Sequence, residues 1–327
     1  MTYSVNQYSS IIEERLKQLS IGNRTPAGLY EPIDYAMAAG GKRVRPVLTL
    51  MACHLFDDDI EKALTSAIAL ELFHNFTLLH DDVMDNADVR RNRPTVHKRW
   101  NENTAILSGD AMLILAYQCM CRSQPEILPA LLATFSQTAL EVCEGQQYDM
   151  DFEQRNDVSI DEYLNMIRLK TAVLLAACLK TGAICGGASI ENSEALYRFG
   201  ISLGITFQIQ DDWLDVYADP DVFGKAIGGD ILSGKKTYLL LTAFEKADEK
   251  NRNKLRILLN DPKLPANEKI ENVKTIYNSL GVSDAAQQAM DEYYQQAMTH
   301  LRNVALPDNS RKADLENFAA KLLKREK

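Results

Sequence analysis

The sequence predicts an all-α protein, on three observations. Gly (16) and Pro (10) together supply only 26 of 327 residues, against an average near 12% for the pair, so long elements with few turns are expected. Between these breakers Ala, Leu, Glu, Gln and Lys dominate, and all are good helix formers. No convincing run alternates apolar and polar residues in the manner of a half-buried strand. Apolar residues recur instead at helical spacing over 11–19, 63–79, 104–120, 130–148, 161–179, 194–213 and 236–244. The last 80 or so residues are more polar, which suits helices packed on the outside.

Hydrophobic residues make up 46% and charged residues 25%, an ordinary globular balance that excludes wholesale disorder. No long flexible linker or repeat interrupts the chain, so a single domain over 1–327 is expected. Its motif-bearing core spans about 40–240, with peripheral helices over about 241–327. The formal charge of −9 argues against generic nucleic-acid binding, which requires a basic field. Six scattered cysteines include no CxxC pair, and most fall in apolar stretches. Buried free thiols and a cytoplasmic location follow. The opening MTYSVNQYSSIIEERLKQ lacks a basic start followed by an apolar run, so no secretory signal is expected. The longest apolar run, 172–179, is far short of the roughly 20 residues of a membrane span.

Two acidic motifs stand out. Asp81-Asp82-Val83-Met84-Asp85 ends one apolar helix, and Asp211-Asp212-Trp213-Leu214-Asp215 ends another. At i and i+4, Asp81 stacks with Asp85 and Asp211 with Asp215. Like charges at that spacing repel, and the helix dipole disfavours anions at a C-terminus. A chain that does this twice needs a compensating cation, and hard oxygen ligands suit Mg²⁺. Solvated acidic helix ends are the plainer alternative.

Basic residues accompany them. Gly40-Gly41-Lys42-Arg43-Val44-Arg45-Pro46 places cations at a helix start, where phosphate can bind. Arg90-Arg91-Asn92-Arg93 follows the first motif. Lys170-Thr171 interrupts an apolar helix; Lys170 either snorkels or meets a buried anion. Lys225 and Lys235 lie among glycines after the second motif, in a segment suited to close over phosphate as a lid. Six carboxylates and a diphosphate, less three Mg²⁺, leave about −3, which three or so Lys/Arg would neutralise. That balance suits departure of diphosphate from carbon.

GGKRVRP (40–46), ELFHNFTLLHDDVMD (71–85), ADVRRNRPT (87–95), LKT (169–171), FQIQDDWLD (207–215) and FGKAIGGDILSGKKT (223–237) together resemble the trans-isoprenyl diphosphate synthases, or polyprenyl synthetases. The match runs in order over about 40–240. The resemblance implies an all-α bundle around a central cavity, usually a homodimer, that joins isopentenyl diphosphate to an allylic diphosphate. It implies three Mg²⁺ between the two motifs. Asp81 and Asp85 would hold two, and Asp211 with Asp212 and Asp215 the third; Asp82 belongs to the same acidic set. Arg90, Lys170, Lys225 and Lys235 would contact the allylic diphosphate, with Thr171 and Gln208 at the reacting end. Lys42, Arg45, His74 and Arg91 would hold isopentenyl diphosphate. Two positions depart from the family pattern. Asn92 stands where Gly is usual, and Asn tolerates left-handed backbone. Ala226 stands where Pro is frequent.

Product length in such enzymes depends on residues upstream of the first motif. Here these are Phe73, Phe76 and Thr77, eight, five and four positions before Asp81. A bulky aromatic at position five alone implies about C20 over C15. A C30–C40 product follows if the floor lies elsewhere, for instance near Met112 and Leu113. Three other readings compete, one of them a purely structural helical protein, which the paired acidic motifs oppose. In an HD-type metal phosphohydrolase, His54 and His80-Asp81 would be ligands, and the second motif would have no purpose. A terpene cyclase would not need Lys42, Arg45 and His74.

Overall fold

Side-chain caps and a few prolines set where the helices begin. The structure, a computed structural model, describes residues 3–218, 227–306 and 310–323. The chain opens with α1 (Val5–Gln18), α2 (Ala27–Met37), α3 (Val44–His54) and α4 (Glu61–Met84). A hairpin of β1 (Val89–Arg90) and β2 (Arg93–Pro94) follows, then α5 (Val96–Arg99), α6 (Glu102–Met120) and α7 (Leu128–Glu153). Helix α8 (Ile160–Ile167) passes through a π turn (Arg168–Ala172) into α9 (Val173–Cys185), and α10 (Ile190–Tyr217) comes next. The remainder is α11 (Gly229–Ser233), α12 (Tyr238–Lys246), α13 (Glu249–Asn260), α14 (Ala266–Ser279), α15 (Val282–Arg302) and α16 (Ser310–Leu323). The fold is all-α. Ser4 with Gln7 and Ser159 with Glu162 form capping boxes that start α1 and α8.

Three local features differ from the periodicity reading. Helices α2 and α3 lie outside its windows because each carries a proline, Pro32 and Pro46. Pro46 falls in the first turn of α3, where its missing N–H is not needed. The 161–179 window is broken by the π turn. Residues 89–94 form a two-residue antiparallel ladder, Val89 opposite Pro94 and Arg90 opposite Arg93, too short to alternate. Its turn residues Arg91 (φ 53°) and Asn92 (φ 60°) are both left-handed, the requirement of a type I′ hairpin. Asn92 thus occupies the conformation its side chain tolerates.

Residue contacts divide the chain into two units interleaved in sequence: 1–136, 177–196 and 305–315 in one, 137–176, 197–304 and 316–327 in the other. In the first, α4 lies along α6. Gly109 on α6 permits this, since a Cβ there would fall 2.2 Å from His80 Nε2. His80 Nε2 lies 3.0 Å from the Ile106 carbonyl. Leu48, Leu64, Ile68, Phe73, Met112 and Phe135 are buried in this unit, each contributing about 1.5–3 kcal/mol. Tyr8 bonds His54 Nδ1 at 2.8 Å, and Arg311 donates to the His54 carbonyl at 2.7 Å, so His54 joins α1, α3 and α16. In the second unit, Tyr163, Ile167, Ile205, Ile209, Leu239 and Tyr277 share one core. Cys53, Cys119, Cys178 and Cys185 are buried and free, and Cys121 and Cys143 are free and exposed. Among the described residues no helix is long and apolar enough to cross a membrane. Lys225, Ala226 and much of the expected lid lie outside the described residues.

Candidate active site

Both acidic motifs end their helices: Asp85 is the C-cap of α4, and α10 stops two residues after Asp215. In the first unit Asp82 is buried and accepts from Arg90 Nε at 2.7 Å. Burial raises its pKa even though the Arg90 guanidinium opposes the shift. Asp81 is half-buried and Asp85 exposed. Arg91 curls over the preceding turn, where a Cβ on Gly41 would lie 2.9 Å from its guanidinium.

Arg45, in the first turn of α3, donates from NH1 to His74 Nε2 on α4 at 3.0 Å. Arginine only donates, so Nε2 accepts and Nδ1 carries the proton. His74 is held neutral: burial, then Arg45, Arg91, Arg90 and Arg43, lower its pKa well below the ordinary 6.5. Arg43, between Lys42 and Arg45, turns inward. It is buried in left-handed backbone (φ 46°) and donates to Glu13 at 2.6 Å, Glu71 at 2.7 Å and the Met37 carbonyl at 2.9 Å. Burial alone would lower its pKa, but Glu71 and Glu13 outweigh it and the net shift is upward. Asn75 also donates to Glu71, at 3.1 Å. This network fixes the turn that presents Lys42, which is exposed.

In the second unit Lys170 and Thr171 lie in the π turn. Lys170 Nζ meets Asp149 on α7 at 2.5 Å, so the anion is present. Thr171 Oγ1 donates to Gln208 Oε1 at 3.2 Å, and Gln208 Nε2 donates to Asp212 Oδ1 at 3.3 Å. Buried Asp212 also accepts from Tyr163 OH at 2.5 Å and the Tyr238 amide at 3.0 Å. Burial raises Asp212 to about 6, despite Tyr163, the Tyr238 amide, Lys235 and Gln208. Asp215 Oδ2 accepts from the Asp230 amide at 3.0 Å. Asp230 itself is raised to about 7, chiefly by burial. Lys235 is exposed and follows Gly234, whose φ is +67°.

The structure therefore draws Arg45 to His74, Arg90 to Asp82, and Thr171 through Gln208 to Asp212. Asp82 and Asp212 have protein partners. Among the described residues no three His, Cys, Asp or Glu side chains are grouped tightly enough to hold a metal unaided. The donor chemistry nevertheless fits Mg²⁺: carboxylate oxygens, one helical turn apart, at two helix ends. His54 and His80 bond to Tyr8 and a main-chain carbonyl, and among the described residues neither belongs to a group of three candidate ligands such as a phosphohydrolase metal set needs. Sequence reading missed Glu71, Asp149, Tyr163 and Asp230. Of these, Glu71 carried a signal as a carboxylate in an apolar helix three residues before His74, and Asp230 as the acid of the 223–237 motif.

A polyprenyl synthetase model matches residues 26–280, and the chain belongs to the polyprenyl synthetase family. It is 38% identical over 325 residues to a short chain isoprenyl diphosphate synthase of Methanothermobacter thermautotrophicus, covering 98% of each chain. It is 43% identical over 244 residues to a geranylgeranyl diphosphate synthase of Methanosarcina mazei, covering 74% of this chain and 75% of that one. A solved geranylgeranyl pyrophosphate synthase superposes with a TM-score of 0.94 at 42% identity, covering all of both chains.

The shift at Asp212 predicts a pH signature of stability in metal-free protein. With its folded pKa near 6 against an ordinary 3.8, the folded state binds more protons than the unfolded between these values. The contribution is complete below about pH 4 and lost as pH rises through about 6. Asp212→Asn has no such loss, so its melting temperature relative to the unaltered chain should climb across that window and then level. A constant offset across pH would contradict the shift.

Proposed function

We propose that the chain is a Mg²⁺-dependent trans-prenyltransferase that joins isopentenyl diphosphate to an allylic diphosphate, making mainly a C20 diphosphate. The observation that carries this reading is the Thr171–Gln208–Asp212–Tyr163 hydrogen-bonded chain, which links residues at the proposed reacting end to the second acidic motif. Asp81, Asp85, Asp211 and Asp215 would hold Mg²⁺, which when bound stabilises charge on the departing diphosphate. Asp82 and Asp212, held by protein donors, would orient those neighbours. Lys170, Lys235, Arg90 and Lys225 would grip the allylic diphosphate. Lys42, Arg45 and Arg91 would grip isopentenyl diphosphate, and neutral His74 would donate from Nδ1.

The allylic C–O bond breaks, with its electron pair leaving on the diphosphate. Thr171 directs its hydroxyl hydrogen bond to Gln208 Oε1, so the hydroxyl lone pairs can face the allylic cation. The isopentenyl double bond then attacks that cation, and a proton leaves to the released diphosphate. Phe76 is half-buried, with Phe73 buried behind it at 5.6 Å between ring centroids. Together with relatives named for geranylgeranyl products, this favours C20. On α6, Leu107 and Ile114 are 60% and 57% exposed one heptad apart, with Ile106 beside them, an apolar stripe that supports a homodimer. Six free cysteines support a reducing, cytoplasmic setting.

Incubation with Mg²⁺, isopentenyl diphosphate and an allylic primer should give extended chains, read by product mass. Release of phosphate or a cyclised hydrocarbon in their place would reject the reading. Asp81→Asn and Asp211→Asn should each stay folded and lose activity by orders of magnitude. Retention of more than about a tenth of the rate, under about 1.4 kcal/mol, would reject the metal assignment.

Phe76→Ala should lengthen the main product by at least one isoprene unit, by mass. If the ring is only core, its removal costs about 3–5 kcal/mol and leaves the product distribution unchanged.

Size-exclusion chromatography with light scattering should give twice the chain mass for the unaltered protein and the single mass for Leu107→Glu/Ile114→Glu. An unchanged dimer in the double variant would place the interface elsewhere.

A further inference from the structure

We propose that the π turn Arg168–Ala172 sets the positions of Lys170 and Thr171, and that Gly145 on α7 and Gly204 on α10 are positioning residues that hold it. The inference rests on reading Lys170 and Thr171 as residues at the allylic diphosphate. A π turn closes i→i+5 bonds, is rare, and occurs frequently at functional sites. It holds about one residue more than an α turn, so it shifts the phase of the helix that follows by about 100°. In this chain it lets adjacent residues reach different helices: Lys170 to Asp149 on α7 at 2.5 Å, Thr171 to Gln208 on α10 at 3.2 Å.

Each neighbouring helix repeats one arrangement. Gly145 lies four residues before Asp149, and Gly204 four residues before Gln208, so each glycine shares a face with the polar partner one turn on. Both glycines meet the backbone of the turn. A Cβ on Gly145 would lie 2.3 Å from the Lys170 amide nitrogen and 2.7 Å from the Leu169 carbonyl carbon. A Cβ on Gly204 would lie 2.6 Å from Ala172 Cα and Cβ. Ordinary contact needs 3.4 Å or more, so either methyl forces backbone apart by roughly an ångström. The side-chain bond one turn away would lengthen with it, and misplacement of that size can cost about 10²-fold in rate.

The test is steady-state kinetics with both substrates varied. Gly204→Ala should lower kcat at least tenfold, through Thr171 and Gln208. Gly145→Ala should raise KM for the allylic diphosphate at least tenfold, through Lys170. KM for isopentenyl diphosphate, assigned to Lys42, Arg45, His74 and Arg91, should stay within twofold in both. Ala172→Gly added to Gly204→Ala removes one of the two methyls in conflict and should recover part of kcat. Unchanged constants, or a rise in all KM values together, overturn the proposal. If an alanine variant does not fold, Ala172→Gly alone loosens the same contact without a clash. It should lower kcat at constant isopentenyl KM, and an unaltered kcat overturns the proposal. Failure of the unaltered chain to extend a primer rejects the functional reading instead.

Discussion

Two helices in this chain end in carboxylates stacked one turn apart, and between each pair a third carboxylate, Asp82 in one unit and Asp212 in the other, is buried and must be partnered. A lone pair of aspartates at i and i+4 destabilises a helix only by tenths of a kcal/mol. A third carboxylate between them, turned into the protein, costs more, because a buried charge must be hydrogen-bonded or neutralised. The first unit meets this with Arg90 on Asp82. The second uses neutral donors, the Tyr163 hydroxyl, the Tyr238 amide and the Gln208 carboxamide, on Asp212. Burial raises both carboxylates: Asp82 against the Arg90 guanidinium, and Asp212 to about 6 against its hydrogen-bond donors and Lys235.

The cationic side obeys the same rule in reverse. Arg45 and Arg91 lie in surroundings that desolvate them and need a nearby anion. Glu71 supplies it from the interior, held by Arg43 and Asn75. Arg43 thus completes an ion pair and fixes the backbone of the Gly40–Arg43 turn, at the expense of left-handed geometry that an ordinary residue seldom adopts. Removing one member of such a pair leaves a charge buried alone, which is far costlier than never burying either. The Lys42–Arg45 turn is therefore anchored by the one basic residue that faces away from the proposed substrate.

Much of this was legible in the sequence, and the reasons for the remainder are specific. The helix ends at Asp85 and Asp215 followed from i, i+4 spacing and the loops beyond. The partners Asp149 and Tyr163 were not legible, because they lie 21 residues before Lys170 and 49 residues before Asp212. Local periodicity carries no information at such separations. The π turn was hidden for another reason. Every residue from Ala172 to Leu179 is buried, so no polar face records the helix phase and one additional residue leaves no trace. Prolines masked α2 and α3, and two-residue strands left nothing to detect at Val89–Pro94.

The proposed product floor also belongs to the core of its unit. Rings run from His80 to Phe76 at 4.7 Å, to Phe73 at 5.6 Å, to Phe135 at 5.3 Å and to Tyr117 at 4.8 Å. Most of these contacts are edge-to-face, each worth about 0.5–1.5 kcal/mol beyond burial. Phe73 and Phe135 are fully buried and Phe76 is not. Of the three phenylalanines, Phe76 alone keeps exposed surface for the proposed tail, and the rings behind it hold it in place. On the proposed C20 reading, one continuous stack would serve both chain length and stability. A change at its exposed end alters the space for the tail with limited structural cost, whereas a change further in removes the support on which that end depends.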